Sequence, residues 1–195
     1  MERILREKKA IIDVGGGLRI AGERSNRLDG RNAWILEQIR ERNISYKVLD
    51  YVADYHPDIV GDIQNLPFAD NTQEAIICNA VLEHVEDPIQ SAKEMYRVLA
   101  PGGYCLVFVP FLYYYHAEKG YYGDYWRFTE DGLRFIFKSF TSITLQNVRG
   151  PLETFTRLTP LGRWQIFADL AFVLDKVFGK LGSKQTSGYF VFLQK

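Results

Sequence analysis

Residues 65–104 read NLPFADNTQEAIICNAVLEHVEDPIQSAKEMYRVLAPGGY, and this stretch decides the predicted fold. The short apolar run Glu74–Cys78 predicts a buried strand. Apolar residues then recur at helical spacing over Pro88–Val98, with a proline in the position that suits a first helical turn. Pro101–Gly103 ends that helix and turns the chain into the second apolar run Tyr104–Val109. Strand, helix and strand in this order predict a parallel βαβ unit.

The same alternation continues on both sides of this unit. Upstream we predict strands over Ala10–Val14, Tyr46–Leu49 and Ile59–Ile63, and a helix over Asn32–Arg42 capped by Asn32. Downstream we predict a Thr-capped helix over Thr129–Phe137, a strand over Ser142–Val148, a helix over Pro160–Gly179 and a strand over Gly188–Gln194. The prediction is an α/β fold with a Rossmann-like, mostly parallel sheet of seven strands and helices on both faces. Without repeats or linkers, residues 1–195 are expected to form a single domain.

Composition and charge exclude several classes of protein. The chain has 24 Lys+Arg and 24 Asp+Glu residues, so its formal net charge is zero. This balance argues against a protein that binds nucleic-acid phosphates, and no nucleic-acid partner is expected. Cys78 and Cys105 each lie in an apolar run and are predicted to be reduced core residues, which favours a cytoplasmic location. The charged N-terminus lacks the apolar stretch of a signal peptide, and no apolar run is long enough to span a bilayer.

Polar and small residues follow the predicted strands at the same edge of the sheet. They are Asp13 with Gly15, Gly16 and Gly17 after the first strand, Asp50 after the second, Asp62 after the third, and Asn79, Leu82 and Glu83 after the fourth. Ligands bind at the carboxyl ends of strands in open α/β sheets. Asp50 is suited to accept hydrogen bonds from a ribose diol, and Asp62 from the amine of an adenine. Tyr51 and Ile63 offer apolar faces for the ring, so the set predicts an adenosine site.

The block at 65–104 resembles the central signature of the class I S-adenosylmethionine-dependent methyltransferases. It is most similar to the small methyltransferase-domain (type 11-like) family, in which LPF…D precedes a strand, followed by vLEHv and RVLxPGG. With IIDVGGG as the first motif, the likeness covers Ala10 to about Val109. The resemblance implies S-adenosylmethionine as the cofactor, an antiparallel last strand, a cofactor-binding half over 10–110 and acceptor-side and closing elements over 111–195.

The resemblance also assigns roles to individual residues. It implies that Asp13, Gly15 and Gly17 lie against the methionine part of the cofactor and that Asp50 holds the ribose. Asp62 with Ile63 would hold the adenine, Asn79 would lie near the sulfonium, and Leu82, Glu83 and His84 would border the cofactor and the path to the acceptor.

The first loop departs from the family at one position. Arg19 replaces the last glycine of the usual Gly-x-Gly-x-Gly run, and the interval to Asp50 is longer than usual. An arginine at this position either pairs with the carboxylate of the cofactor or faces solvent on the longer loop. The altered loop keeps two functions open. One is methyl transfer to a small-molecule or glycan-type acceptor, and the other is a degenerate relative that serves as a cofactor-binding or scaffold module without turnover.

The segment after the fifth strand contains the candidates for acceptor chemistry. It reads YYYHAEKGYYGDYWRF, and His116 is the preferred general base because it follows that strand directly, with His84 as the second candidate. Tyr115, Tyr125 and Arg127 are predicted to contact the acceptor. No metal site is predicted.

The apolar segment 160–181 carries a stripe of large residues at helical spacing. These are Phe167, Leu170, Leu174, Val177 and Leu181. The stripe is predicted to pack on the core, with a roof over the acceptor site, a homodimer interface and contact with a membrane surface as alternatives. Asp169 and Asp175 argue against attraction to anionic lipid.

Overall fold

The computed structural model describes residues 1–15 and 33–195. Its centre is a seven-stranded sheet with the order β3-β2-β1-β4-β5-β7-β6. The strands are β1 (Ala10–Val14), β2 (Ser45–Asp50), β3 (Ile59–Val60), β4 (Gln73–Asn79), β5 (Leu99–Pro110), β6 (Ser142–Asn147) and β7 (Gly188–Gln194). Strands β1 to β5 pair in parallel, whereas β7 runs antiparallel to both β5 and β6. The predicted fold class is therefore confirmed.

Six α-helices accompany the sheet in the described part of the chain. They are α1 (Glu2–Glu7), α2 (Ala33–Glu41), α3 (Pro88–Val98), α4 (Glu130–Ile136), α5 (Pro151–Leu158) and α6 (Gln165–Val177). Two sequence signals that predicted the start of a helix are confirmed. Pro88 occupies the first turn of α3, and the Thr129 hydroxyl accepts a hydrogen bond from the Gly132 N–H at the start of α4. The predicted cap Asn32 lies outside the described residues.

The core lies on both faces of the sheet because neighbouring residues of each strand point to opposite sides. Along β4, Ala75 and Ile77 pack in one apolar cluster with residues of α1 and α2, such as Ile35. Ile76 and Cys78 pack in the other cluster, which α3 and α4 cover. Cys78 and Cys105 are both buried and free, as predicted. Helices thus cover the sheet on two sides.

Local boundaries differ from the prediction at the Pro-Gly-Gly turn. Helix α3 ends at Val98, and the chain enters β5 at Leu99 instead of Tyr104. The pairing of β4 with β5 has an irregular register between Gln73 and Ala75, where Pro101–Gly103 lies opposite. Gly102 has a φ of 73°, which favours glycine. The turn is therefore part of an irregular strand pair.

The C-terminal helices also differ from the prediction. Helix α5 was not predicted, and the predicted helix 160–179 is divided into a 3₁₀ turn, Pro160–Arg163, and α6. The buried residues of α6 are Ala168, Ala171 and Asp175, whereas the predicted core stripe is exposed. The two alanines leave room for α5 to approach, and the Asp175 carboxylate accepts hydrogen bonds from backbone N–H groups at the start of α5. The prediction that the apolar stripe faces the core is wrong.

No helix in the described residues is long and apolar enough to cross a membrane. Helix α6 contains 13 residues, while a spanning helix needs about 20.

Candidate functional site

A cavity of about 440 Å³ opens at the carboxyl ends of the parallel strands. Its volume lies within the range typical of small-ligand sites. The lining comes from the ends of β1 and β2, from the segments that follow β1, β2, β3 and β4, and from the loop that follows β5. The residues are Val14, Gly15, Leu49, Asp50, Tyr51, Val52, Tyr55, Gly61, Asp62, Ile63, Gln64, Ala80, Val81, His84, Val85, Glu86, Tyr121, Tyr122, Gly123 and Tyr125. The strand ends therefore converge on one site.

Gly15 closes the floor of the cavity at the end of β1. Its φ is +63°, and its N–H donates a 2.7 Å hydrogen bond to the Leu49 carbonyl of β2. A Cβ at this position would lie 2.3 Å from Cγ2 of Val81. Both the left-handed conformation and the close approach of Val81 require glycine here.

Asp50, Asp62 and Ile63 lie together in the lining, as predicted. Asp50 is buried, and its Oδ1 accepts a 2.9 Å hydrogen bond from the Val52 N–H. The Asp62 Oδ1 accepts a 2.8 Å bond from the Gln64 N–H. These bonds fix both carboxylates by the backbone that follows them. Two oriented acids flank an apolar wall at the same edge of the sheet.

Other predicted cofactor residues do not line the cavity in the described part of the chain. Asp13 shares its strand face with Ile11, and its carboxylate accepts a short hydrogen bond from the Tyr46 hydroxyl. Burial next to this carboxylate raises the pKa of Tyr46. Leu82 is fully buried in the core, and Asn79 precedes the lining residues at the end of β4. Gly17 and Arg19 lie outside the described residues.

The aromatic loop after β5 forms the outer wall of the cavity. Tyr121, Tyr122 and Tyr125 contribute to the lining, and Tyr121 stacks on Tyr55 from the segment after β2 with ring centroids 5.6 Å apart. Tyr115 is instead on the rim of a neighbouring shallow depression and is 77% exposed. Of the three predicted acceptor residues, Tyr125 is thus the one on the main cavity.

Arg127 stabilises the aromatic loop after β5 through hydrogen bonds and does not line the cavity. Its guanidinium makes two hydrogen bonds to the Asp124 carboxylate, of 2.5 and 2.7 Å. The remaining donors go to the carbonyls of Tyr113, Tyr114 and Trp126. A guanidinium has five N–H donors, and all five have partners here. The Arg127 bonds also lower the pKa of the Asp124 carboxyl to about 2.

Two histidines and a buried acid form a cluster behind the aromatic wall. His84 and Glu83 come from the turn after β4, and His116 comes from the aromatic loop. The His116 Nε2 lies 3.4 Å from Oε1 of Glu83, and the His84 Nε2 lies 3.9 Å from the same oxygen. Interaction with Glu83 raises the pKa of His116. Of the two histidines, His84 lines the cavity.

Several lining residues escaped the sequence analysis. Val81, Val85 and Glu86 follow β4 in the same block as Asn79, but only the folded turn shows that they face the cavity. Gln64 lies two residues after the predicted acid Asp62, and Tyr55 lies five residues after Asp50. A search of the residues next to Asp62 would have found Gln64, whereas the position of Tyr55 depends on the turn that follows β2.

The comparisons with known proteins agree with this architecture. Residues 13–107 match a family model described as a methyltransferase domain. The ubiquinone/menaquinone biosynthesis C-methyltransferase UbiE of Haemophilus ducreyi is 30% identical over 112 residues, which are 53% of this chain and 42% of that protein. A malonyl-[acyl-carrier protein] O-methyltransferase of Hahella chejuensis is 30% identical over 98 residues, 48% of this chain and 33% of that protein. The chain therefore spans less than half the length of these curated relatives.

Solved structures show the same fold over the whole chain. A SAM-dependent methyltransferase from Archaeoglobus fulgidus superposes with a TM-score of 0.63 at 14% identity, covering 100% of this chain and 92% of that one. The 1,6-didemethyltoxoflavin-N1-methyltransferase of Burkholderia thailandensis gives a TM-score of 0.56 at 16% identity, covering 100% and 74%. At these identities the likeness concerns the fold.

Proposed function

We infer that the chain belongs to the class I S-adenosylmethionine-dependent methyltransferases, because residues 13–107 match the methyltransferase-domain family. From this premise we propose that it transfers a methyl group to a small-molecule or glycan-type acceptor. The observation that carries the proposal is the cavity where Gly15, Asp50 and Asp62 converge at the ends of three parallel strands. The names of the relatives include a C-methyltransferase, an O-methyltransferase and an N1-methyltransferase, so they do not determine the methylated atom.

The described residues fit the adenosyl part of S-adenosylmethionine. Gly15 lines the cavity at the end of β1 and carries no side chain, so a ligand can approach the backbone there. The buried Asp50 carboxylate is placed to accept hydrogen bonds from a ribose diol. Asp62 and Ile63 provide an acceptor and an apolar surface for an adenine. When bound, the cofactor supplies a methyl group already activated on a sulfonium.

The protein then has to orient an acceptor and exclude water. We place the acceptor between Tyr122, Tyr125 and His84, which form the outer wall of the cavity. Tyrosine rings offer flat stacking surfaces together with hydroxyl groups, which suits small aromatic molecules and sugars. If the acceptor must lose a proton, the His84–Glu83–His116 cluster is the group that lies next to it.

Calorimetry with S-adenosylmethionine and S-adenosylhomocysteine tests cofactor binding, and S-adenosylhomocysteine formation with an acceptor panel tests turnover. Asp50→Ala should weaken cofactor affinity about 10- to 100-fold because it removes charge-assisted hydrogen bonds. Asp131→Ala is the matched control, since this acid is exposed on α4 and does not line the cavity. Equal affinities for both variants, or no binding by the folded wild-type chain, would refute the proposal. Binding without turnover would favour the scaffold function.

A further inference from the structure

We propose that Glu83, His84 and His116 bind a divalent transition-metal ion of the Zn²⁺ type. One ligand atom from each of these three residues lies within 4.8 Å of the other two. Atoms bound to one tetrahedral zinc at about 2.1 Å lie about 3.4 Å apart. The observed distances from Oε1 of Glu83, 3.4 Å to His116 and 3.9 Å to His84, are close to that spacing.

Both imidazole rings present an unprotonated Nε2 to the acid when they are neutral. The Nδ1 atom of His84 lies 2.6 Å from the Gly123 carbonyl, and that of His116 lies 2.9 Å from the Tyr114 carbonyl. A carbonyl oxygen only accepts hydrogen bonds, so each Nδ1 carries the hydrogen and each Nε2 keeps its lone pair. Metal-bound histidines commonly have their second nitrogen fixed in this way.

The Glu83 carboxylate is the second, independent observation. Its side chain is fully buried, and with both histidines neutral neither of its oxygens has a hydrogen-bond donor among the described residues. A buried carboxylate is costly unless a cation or donors compensate its charge. The Nε2 lone pairs of both neutral imidazoles lie near this oxygen. The space between the three groups therefore suits a positive ion.

Asp124 and Arg127, which lie behind His116, also support a metal site. Oδ2 of Asp124 lies 3.3 Å from Nδ1 of His116 and also accepts a 2.8 Å bond from the His116 N–H. Arg127 holds this carboxylate in place through two hydrogen bonds. Carboxylates behind a ligating histidine orient the ring and increase its basicity.

Two imidazoles and one carboxylate favour Zn²⁺, Co²⁺, Fe²⁺ or Mn²⁺ over the oxygen-preferring Mg²⁺ and Ca²⁺. Three protein ligands leave at least one position open, as in catalytic metal sites. Because His84 lines the cavity, that position would face the acceptor. This use of the metal rests on the proposed function. An acceptor hydroxyl bound there would release its proton to solvent more easily, and its oxygen would supply the electron pair of the new bond to the methyl carbon. The carbon–sulfur bond of the sulfonium would break at the same time, its electron pair returning to sulfur as S-adenosylhomocysteine leaves.

The test uses Co²⁺ as a spectroscopic probe on chain treated with a chelator. We expect one equivalent of Co²⁺ to give visible d–d absorption that Zn²⁺ abolishes by displacement. Glu83→Gln and His84→Gln should each weaken Co²⁺ binding at least tenfold, and Asp124→Asn about tenfold through the orientation of His116. His56→Asn is the control, because His56 is exposed, lies outside the cluster and has a φ of 50° that asparagine tolerates.

Circular dichroism and thermal melting identify variants that fail to fold, and Glu83→Gln keeps the size of the side chain. No Co²⁺ binding by folded wild-type chain would overturn the metal site, since protons on the histidines would then balance Glu83. Binding that survives equally in the cluster variants would overturn it as well. If S-adenosylmethionine does not bind but Co²⁺ does, the proposed function fails and the metal site stands.

A second inference concerns the exposed α6 face, defined as Ile166, Leu170, Val173 and Val177. At 3.6 residues per turn these four side chains lie within about 60° of one another. They are 73%, 57%, 51% and 72% exposed. The opposite side of α6 carries the small residues that pack on α5. A stripe of this size on a surface marks an interaction site.

The charges around this face indicate its partner. Arg163, Lys176 and Lys180 are exposed along α6 and at its two ends. From its sequence position, Asp175 was expected to repel an anionic partner. In the structure it is fully buried, and its carboxylate accepts hydrogen bonds from backbone N–H groups of α5, so it does not face such a partner. Asp169 is the one exposed acid within α6.

We infer that the exposed α6 face lies on an anionic phospholipid surface. Apolar side chains bordered by cations are typical of helices that rest in the headgroup region. Trp164, half exposed at the start of α6 with the Arg163 guanidinium 4.1 Å from its ring centroid, is a residue type that favours this region.

Sedimentation with vesicles tests this inference. We expect binding to vesicles of phosphatidylglycerol and phosphatidylcholine, weaker binding to phosphatidylcholine alone, and a loss at high salt. Lys176→Gln and Lys180→Gln should each weaken binding about fivefold, and Leu170→Gln more strongly. Phe135→Gln and Lys138→Gln, exposed apolar and cationic positions outside α6, are the controls.

Absence of vesicle binding by the folded chain would overturn the lipid surface. Dimerisation in analytical ultracentrifugation that Leu170→Gln abolishes would also overturn it, because a second copy would then cover the face.

Discussion

Replacement of Gly15 by alanine should destabilise the fold and weaken cofactor binding together. The left-handed backbone costs an L residue about 1–2 kcal/mol. The added methyl group would stand 2.3 Å from Cγ2 of Val81, and overpacking of this kind costs about 1–3 kcal/mol. We therefore expect a loss of about 2–5 kcal/mol in the free energy of unfolding.

The two contributions can be separated with a second substitution. Val81→Ala removes the methyl group that Gly15→Ala would meet, but it leaves the backbone strain unchanged. In the double variant we expect a favourable coupling of about 1–3 kcal/mol, with about 1–2 kcal/mol of the loss remaining. Urea unfolding followed by circular dichroism measures the four free energies of this cycle.

Calorimetry with S-adenosylmethionine on the same four proteins reports the effect on the cavity. The reasoning would be refuted if the two substitutions were additive, because the clash with Val81 would then contribute nothing. It would also be refuted if Gly15→Ala were as stable as the wild type, since the left-handed conformation would carry no penalty.

Three further predictions concern interactions away from the cavity floor. Arg127→Gln should lower stability by about 2 kcal/mol in urea unfolding, because it leaves the buried Asp124 carboxylate without its two charged donors. Arg97 lowers the pKa of Glu94 in the folded chain, so the ionised acid stabilises the fold above its unfolded pKa near 4.5. This contribution is lost as the pH falls through the lower folded pKa. Glu94→Gln should therefore flatten the acid side of a curve of unfolding free energy against pH. Asp175→Ala should cost about 1–3 kcal/mol and increase amide exchange at the start of α5, and unchanged exchange would contradict the capping role.

Local sequence was sufficient to predict the order of most elements. Apolar runs and helical spacing identified all seven strands and the longer helices, because these patterns repeat over enough residues to be distinctive. Helices α1 and α5 were missed. They contain 6 and 8 residues and begin without a side-chain N-cap, whereas the seven-residue α4 was identified by its Thr129 cap.

The candidate site was predicted in part for a related reason. Asp50, Asp62 and Ile63 reach the cavity because the carboxyl ends of parallel strands lie at one edge of the sheet, independently of the path of the connecting loops. Leu82, by contrast, turns into the core, and the donors of Arg127 go to carbonyls up to 14 residues away. Which partner a side chain meets depends on the path of the loops.

By itself, then, the sequence indicated the seven strands, the longer helices and the edge of the sheet at which the cavity opens. Only the tertiary structure decided the direction of individual side chains. It brought Glu83, His84 and His116 together from two segments more than thirty residues apart in sequence. It also turned the apolar stripe of α6 outward, because two alanines and Asp175 pack more closely on α5 than large side chains would. Periodicity defines the faces of a helix, but the neighbouring elements determine which face is buried.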